Sequence, residues 1–358
     1  MKDQKVVIVG MTTTGGDVAV DIVPHASKVY VAHRRGAIPV VRERKGTPLD
    51  LQASWRRRMI THWADKNMPS LYRWCMDTTI SVVAPKMNSV KLDPAWRLQP
   101  FPSLSLKLPS VLELMMPLLE DGRVESLHGV KRFLGGQKIE FDDGTVLDDV
   151  GAVICCTGYK GDFSLAPFLE TSMPAAHGYA GEPLQRLYMN MFPPKYADSC
   201  AMLCYSAYGK NNGFSFADVT SMAISNAWRG VSPDSLPPRA AMDRWIDDHQ
   251  GWVAAQWAKE RYIDVSMVRQ FEFQAWLHEA AGTGMENLGW GWKGWKFWWE
   301  DREMYNLLNN GVETAHMFRY FETGKRPVWP EAKAEIKHQN GLVQEQFYNK
   351  KNKGGKIK

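Results

Sequence analysis

The stretch Lys5–Arg35, KVVIVGMTTTGGDVAVDIVPHASKVYVAHRR, restricts the fold more than any other part of the chain. Lys5–Val9 is a short β-branched run, Gly15–Val23 has helical spacing, and Lys28–Ala32 returns to an extended apolar run. Strand, turn, helix, strand is the opening half of a nucleotide-binding sheet. Such a turn needs glycine where the backbone reverses, where it approaches pyrophosphate, and where helix meets strand. Gly10 and Gly15 stand at the first and third places, and Thr12 at the second. A side chain at Thr12 narrows the approach. The hydroxyls of Thr12, Thr13 and Thr14 supply donors in return, and the helix N-terminus supplies free amides. The competing reading is a structural βαβ unit that holds no ligand.

The end of the second strand adds a preference. NAD sites often carry an acidic residue there for the ribose; this chain has Ala32, His33, Arg34 and Arg35. Adjacent guanidinium groups suit a 2'-phosphate, so the cofactor expected is NADPH rather than NADH. The alternative is a solvated basic loop, since more bases follow through Lys45.

With 358 residues, 44% of them hydrophobic, the chain can bury a core of two domains or one large one. A formal charge of +5 is compatible with an anionic cofactor and gives no argument for nucleic acid. The five cysteines lack the spacing of a metal knuckle, which fits a reduced, cytoplasmic setting. Neither a signal peptide nor an apolar run long enough to cross a membrane is evident. The nine histidines are scattered, without a triad, a zinc cluster or paired carboxylates, so catalytic residues stay unassigned.

Along the chain, Leu51–Thr78 reads as mostly helical, with Trp55, Met59, Trp63, Leu71 and Trp74 as core candidates and most of Arg56–Arg58 solvated. Val111–Leu119 reads as a short helix. Asp142–Asp143–Gly144 closes a hairpin. The apolar Val150–Cys156 is expected as a buried parallel strand ending at Thr157–Gly158, where α/β folds place ligands. Leu187–Phe192 and Ala201–Tyr205 read as extended, Gly209–Gly213 as a turn, and Phe214–Trp228 as a helix. Ala240–Leu277 reads as two helices broken near Tyr262–Ile263, and Glu331–Gln339 as a closing helix. In Leu288–Trp299, LGWGWKGWKFWW, alternating glycine and tryptophan can form an aromatic-walled loop; the preferred reading is that the rings cover the core against solvent.

Taken together, these stretches resemble the flavin-containing monooxygenases, in particular a fungal branch of the dimethylaniline monooxygenase type. VVIVGMTTTGGDVAVDI is similar to the family's NADPH-binding fingerprint, with Gly10, Gly15 and Asp17 matching and Thr12 departing from glycine. HRRGA resembles the segment whose arginine meets the 2'-phosphate. FDDGTVLDDVGAVICCTGYKGDF resembles the turn, strand and ATGY hinge, with Cys156 in the alanine place. LYMNMFPP, the helix from Asp218 to Trp228 and the segment MFRYFETGKRPVWPEAKAEIKHQN carry the likeness onward.

The resemblance implies an α/β fold: a Rossmann-like NADPH domain with a helical insertion over 1–156, and the C-terminal part of a flavin-type α/β domain with added, Trp-rich helices over 157–340. A basic, disordered tail over 341–358 is expected from composition. The implied cofactor-binding residues are Gly10, Thr12, Thr13, Thr14, Gly15, His33, Arg34, Arg35, Thr157 and Gly158. FAD is implied by the resemblance alone, because the family's N-terminal FAD fingerprint and its FxGxxxH link are not found ahead of the NADPH-type turn. The function implied is FAD/NADPH-dependent monooxygenation of a small lipophilic or natural-product substrate, by a homodimer, from a chain expected to be truncated. The alternative is a flavin-independent isomerase, cyclase or binding protein on the same fold.

Overall fold

The computed structural model describes residues 2–44, 46–88, 90–159, 163–175, 179–203, 213–260 and 263–349. The chain divides into two compact units, Met1–Arg44 with Arg73–Asp162, and Lys45–Tyr72 with Phe163–Lys358. Residues 45–72, grouped with the first unit on sequence grounds, therefore cluster with the second.

The first unit is built on a four-stranded parallel sheet. Its strands are β1 (Lys5–Val9), β2 (Lys28–Ala32), β3 (Val124–Leu127) and, numbered after the hairpin described next, β7 (Val150–Cys155). The spatial order is β7-β1-β2-β3. Alternation sends Val6 and Ile8 to one face and Val7 to the other, and all three are fully buried. Val6 and Ile8 pack with Ala19 of α1 (Thr13–Ile22) and with Leu112, Met115 and Met116. Val7 packs with Ile139 and Phe141. These belong to an antiparallel sheet of β4 (Val130–Gly135), β5 (Lys138–Phe141) and β6 (Val146–Leu147). Gly144 has φ +85° at its turn, as the hairpin reading requires.

The second unit is mainly helical. α2 (Trp55–Asn67) starts on a Ser54 cap and is followed at Pro69 by α3 (Pro69–Met87), most of which belongs to the first unit. After the short α4 (Met116–Glu120) of the first unit come α5 (Gly213–Trp228), α6 (Arg239–Lys259) and α7 (Gln270–Ala281). α8 (Trp292–Glu300), α9 (Arg302–Asn310) and α10 (Ala332–Val343) complete the set. Phe216, Val219 and Ala223 of α5 recur at helical spacing and share a core with Phe273, Leu277 and Ala280 of α7. Asn226 and Ser232 both donate to the Ala280 carbonyl at 3.0 Å, satisfying buried polar groups beside that core. The α/β class with a Rossmann-type sheet and added helices is thus the architecture expected.

Several local expectations are corrected. β7 lies at the sheet edge, with Gly151 and Cys155 exposed, so its apolar run is only half buried. Leu187–Phe192 is no strand: Met189 and Asn190 have positive φ, and Tyr188 bridges back to Phe192. Residues 201–203 form no strand, and 204–212 lie outside the described residues, with the rest of that strand and the proposed turn up to Gly213, which opens α5. The break between α6 and α7 falls where expected, although Tyr262 is outside the described residues.

Trp63 on α2, and Leu71 and Trp74 after the restart at Pro69, are exposed rather than core positions. Arg58, in contrast, is largely buried and pairs with Glu313. The Trp-rich run is a helix from Trp292 onward, and Trp292, Trp295 and Trp299 share its solvent face while Phe297 is buried. The tail reading fails at 341–349, where α10 ends and a π-helical turn follows. Residues 350–358 are outside the described residues.

Candidate functional site

The turn between β1 and α1 is held by backbone crowding. The Gly10 amide donates to the Ala32 carbonyl at 2.9 Å, and the Cys156 amide donates to Val9 at 2.8 Å. Gly10 has φ +113°, and a Cβ there would lie 2.4 Å from the Cys156 carbonyl oxygen. At Gly15 a Cβ would lie 2.0 Å from the Gly10 carbonyl oxygen. Only glycine permits this close crossing of helix over strand.

α1 opens without a side-chain cap. Thr12 is extended, with φ −121°, and its hydroxyl makes no capping bond; no acidic residue occupies the first turn. The first amides of α1 are therefore left without a side-chain cap at the positive end of the helix dipole, and Thr12 and Thr14 are exposed there. Thr13 is tied inward, accepting from the Val111 amide at 3.2 Å. This geometry fits a diphosphate. Gly158 has φ +87° and, like Thr157, is exposed just beyond β7. Burial pushes the thiol of neighbouring Cys156 up from its ordinary range.

His33 is buried at the end of β2. Its Nδ1 accepts from the Gly36 amide at 2.8 Å, so Nε2 carries the proton. Nε2 lies 3.0 Å from the Trp96 carbonyl and 2.8 Å from Ser126 Oγ. Desolvation lowers its pKa to about 4 against the weaker opposing effect of the Trp96 bond. The imidazole is thus a neutral tie between β2 and β3. Arg34 and Arg35 follow it at the surface, and the Arg34 stem lies over Gly129, where a Cβ would come within 2.7 Å of Arg34 Cγ.

Another glycine constellation was missed in the sequence because no strand precedes it. Gly289, Gly291 and Gly294 have the spacing G-x-G-x-x-G and open α8, and a Cβ on Gly294 would lie 1.8 Å from the Gly289 carbonyl oxygen. A 3-10 turn precedes this crossing, so it builds no βαβ unit. Among the described residues no cluster of His, Cys, Asp or Glu could hold a metal ion. No described helix is long and apolar enough to cross a membrane.

Turn, parallel sheet and uncapped helix together define a dinucleotide-type βαβ unit. The Flavin-binding monooxygenase-like family profile matches residues 1–279, and the chain belongs to that family. Monooxygenase aurF of Gibberella zeae is 33% identical over 341 residues, covering 93% of this chain and 63% of that protein. Flavin-containing monooxygenase 5 of Homo sapiens is 30% identical over 193 residues, 53% of this chain and 33% of that protein. The chain thus spans less than two thirds of either relative. Among solved structures, S-allyl-L-cysteine S-oxygenase from Allium sativum is 17% identical at a TM-score of 0.44, covering 95% of this chain and 55% of that one. A cyclohexanone-bound cyclohexanone monooxygenase is 12% identical at 0.48, covering 79% and 66%.

Proposed function

We propose that the chain is an NADPH-binding oxidoreductase of the monooxygenase type, acting on a small lipophilic or natural-product substrate. The observation that carries this reading is the crossing at Gly10 and Gly15 beneath an uncapped helix N-terminus, in a chain of the flavin-binding monooxygenase-like family. The amides of α1 and the hydroxyls of Thr12 and Thr14 bind the diphosphate. Gly10 and Gly15 let the backbone close, and Thr157 and Gly158 flank the approach from β7. Arg34 and Arg35 hold the 2'-phosphate, while His33 fixes the loop that presents them. FAD enters the reading through the family alone; among the described residues there is no second strand–turn–helix unit fitted to it.

The test is a titration with NADPH and NADH. NADPH is expected to bind at least about tenfold tighter, and the double variant Arg34→Ala, Arg35→Ala to erase that preference. Equal binding of both nucleotides by the unmodified protein refutes the assignment. Thr12 in the glycine place favours a second reading, a cofactor-independent isomerase, cyclase or binding protein. Turnover in NADPH-free, FAD-free buffer with no change in redox state distinguishes it.

A further inference from the structure

The connection between β3 and β4, residues 128–129, lies beside the end of β2 in the first unit. The His33 amide donates to the Leu127 carbonyl at 3.1 Å, so the pairing of β2 with β3 runs on to their carboxyl ends. Arg34 is the next residue and is exposed. Gly129 is buried, and its φ is not in the left-handed region. What the chain needs from glycine here is room rather than a conformation.

Two side chains use that room. A Cβ on Gly129 would lie 2.4 Å from Asp142 Oδ2, 2.7 Å from Arg34 Cγ and 3.5 Å from Arg34 Nε. The Arg34 stem therefore runs across the bare Cα, and its Nε and the Asp142 carboxylate border the same spot. Asp142 is held there in turn. Its amide donates to the Gly129 carbonyl at 2.8 Å, and its Oδ2 stands 3.8 Å from His128 Nδ1. The root of Arg34 is fixed from the other side by His33, whose buried ring is bonded to the Trp96 carbonyl and to Ser126.

In a dinucleotide-type sheet the diphosphate lies at the turn after the first strand and the adenosine ribose at the end of the second. An arginine whose stem is already confined loses less side-chain freedom when it takes up a phosphate. Resting on the NADPH reading above, we infer that Gly129 is a positioning residue for the 2'-phosphate. Its missing side chain lets Arg34 lie across the end of β3 and present a pre-placed guanidinium to that group. A methyl at residue 129 meets Arg34 at Cγ, near the root of the side chain, and so redirects the whole head. Gly129 acts through Arg34 and touches no part of the nucleotide that NADH and NADPH share.

Gly129→Ala, titrated as the full chain with NADPH and with NADH, tests the inference. The three atoms nearest the added methyl belong to the exposed side chains of Arg34 and Asp142, which can swing aside, so the fold is expected to persist. NADPH affinity is expected to fall about tenfold and NADH affinity to hold, which collapses the preference. In an Arg34→Ala background the same substitution is expected to add nothing, because the two act as one unit. A preference that survives Gly129→Ala, or a parallel loss of both nucleotides, overturns the inference and leaves the NADPH reading standing. Should Gly129→Ala not fold, Arg34→Ala decides: an undiminished NADPH preference in that variant overturns the inference. Equal binding of the two nucleotides by the unmodified protein overturns the NADPH reading and this inference with it.

Discussion

Acid should destabilise the second unit more than the first, because of where the neutral histidines lie. Burial lowers the pKa of His33 to about 4, of His62 to about 4 and of His278 to about 3, each from an ordinary value of 6.5. Near pH 7.5 these imidazoles are neutral in both states and cost nothing. Below pH 6.5 the unfolded chain takes up protons that the folded chain refuses, so stability falls as pH falls until each folded pKa is reached. At ~1.4 kcal/mol per pH unit, each histidine removes about 2 kcal/mol by pH 5. The first unit holds His33 and loses about 2 kcal/mol, while the second holds His62 and His278 and loses about 4 kcal/mol.

That loss is comparable with the whole stability of a marginal domain, ~5 kcal/mol. Lowered carboxylates contribute little in this window, since a group such as Asp143, held to about 2 by its bonds to Thr145 and by Arg97, loses its effect only in stronger acid. Urea unfolding near pH 7.5 and pH 5, followed by tryptophan fluorescence and by amide exchange resolved by unit, measures both changes. His62→Leu should shrink the second unit's loss by about 2 kcal/mol. Equal stability at the two pH values, or imidazole titrations near 6.5 by NMR, would refute the reasoning.

Three further outcomes are expected. Gly15→Ala should destabilise the first unit by about 3 kcal/mol in urea melts, because the new Cβ meets the Gly10 carbonyl and backbone must move. Glu313→Gln should cost about 3–5 kcal/mol in the second unit, because it removes the opposite charge that faces the buried Arg58 guanidinium; the same melts read it. Trp292→Ser, on the solvent face of α8, should change stability by less than about 0.5 kcal/mol, as a thermal or urea melt checks.

The first unit was legible because its signals are local. β-branched runs at Lys5–Val9 and Lys28–Ala32, and Gly144 in its hairpin, encode strand and turn within a few residues of themselves. β7 shows the limit: Val150–Cys155 is apolar enough for a central strand, and sequence composition does not say that the sheet stops there. Tertiary pairing hid the rest. Nothing near Arg58 in the chain announces Glu313 as its partner. His33 looked like a ligand residue because it precedes two arginines, yet its bonds go to Gly36, Trp96 and Ser126. A cavity in the second unit is lined from α2, α7 and the start of α8, which no sequence window spans. The Trp-rich run was misread because exposed rings on one helical face imitate a core stripe.

The β1–α1 turn separates two demands that a glycine fingerprint normally confounds. Gly10 and Gly15 answer to the chain itself, since each faces a carbonyl that a methyl group would strike. Thr12, exposed and extended, answers only to whatever approaches from outside. Side-chain changes at residue 12 therefore strike no packed neighbour of the kind that Gly10 and Gly15 face. Under the proposed nucleotide reading, Thr12→Gly is the substitution by which affinity would change most relative to stability.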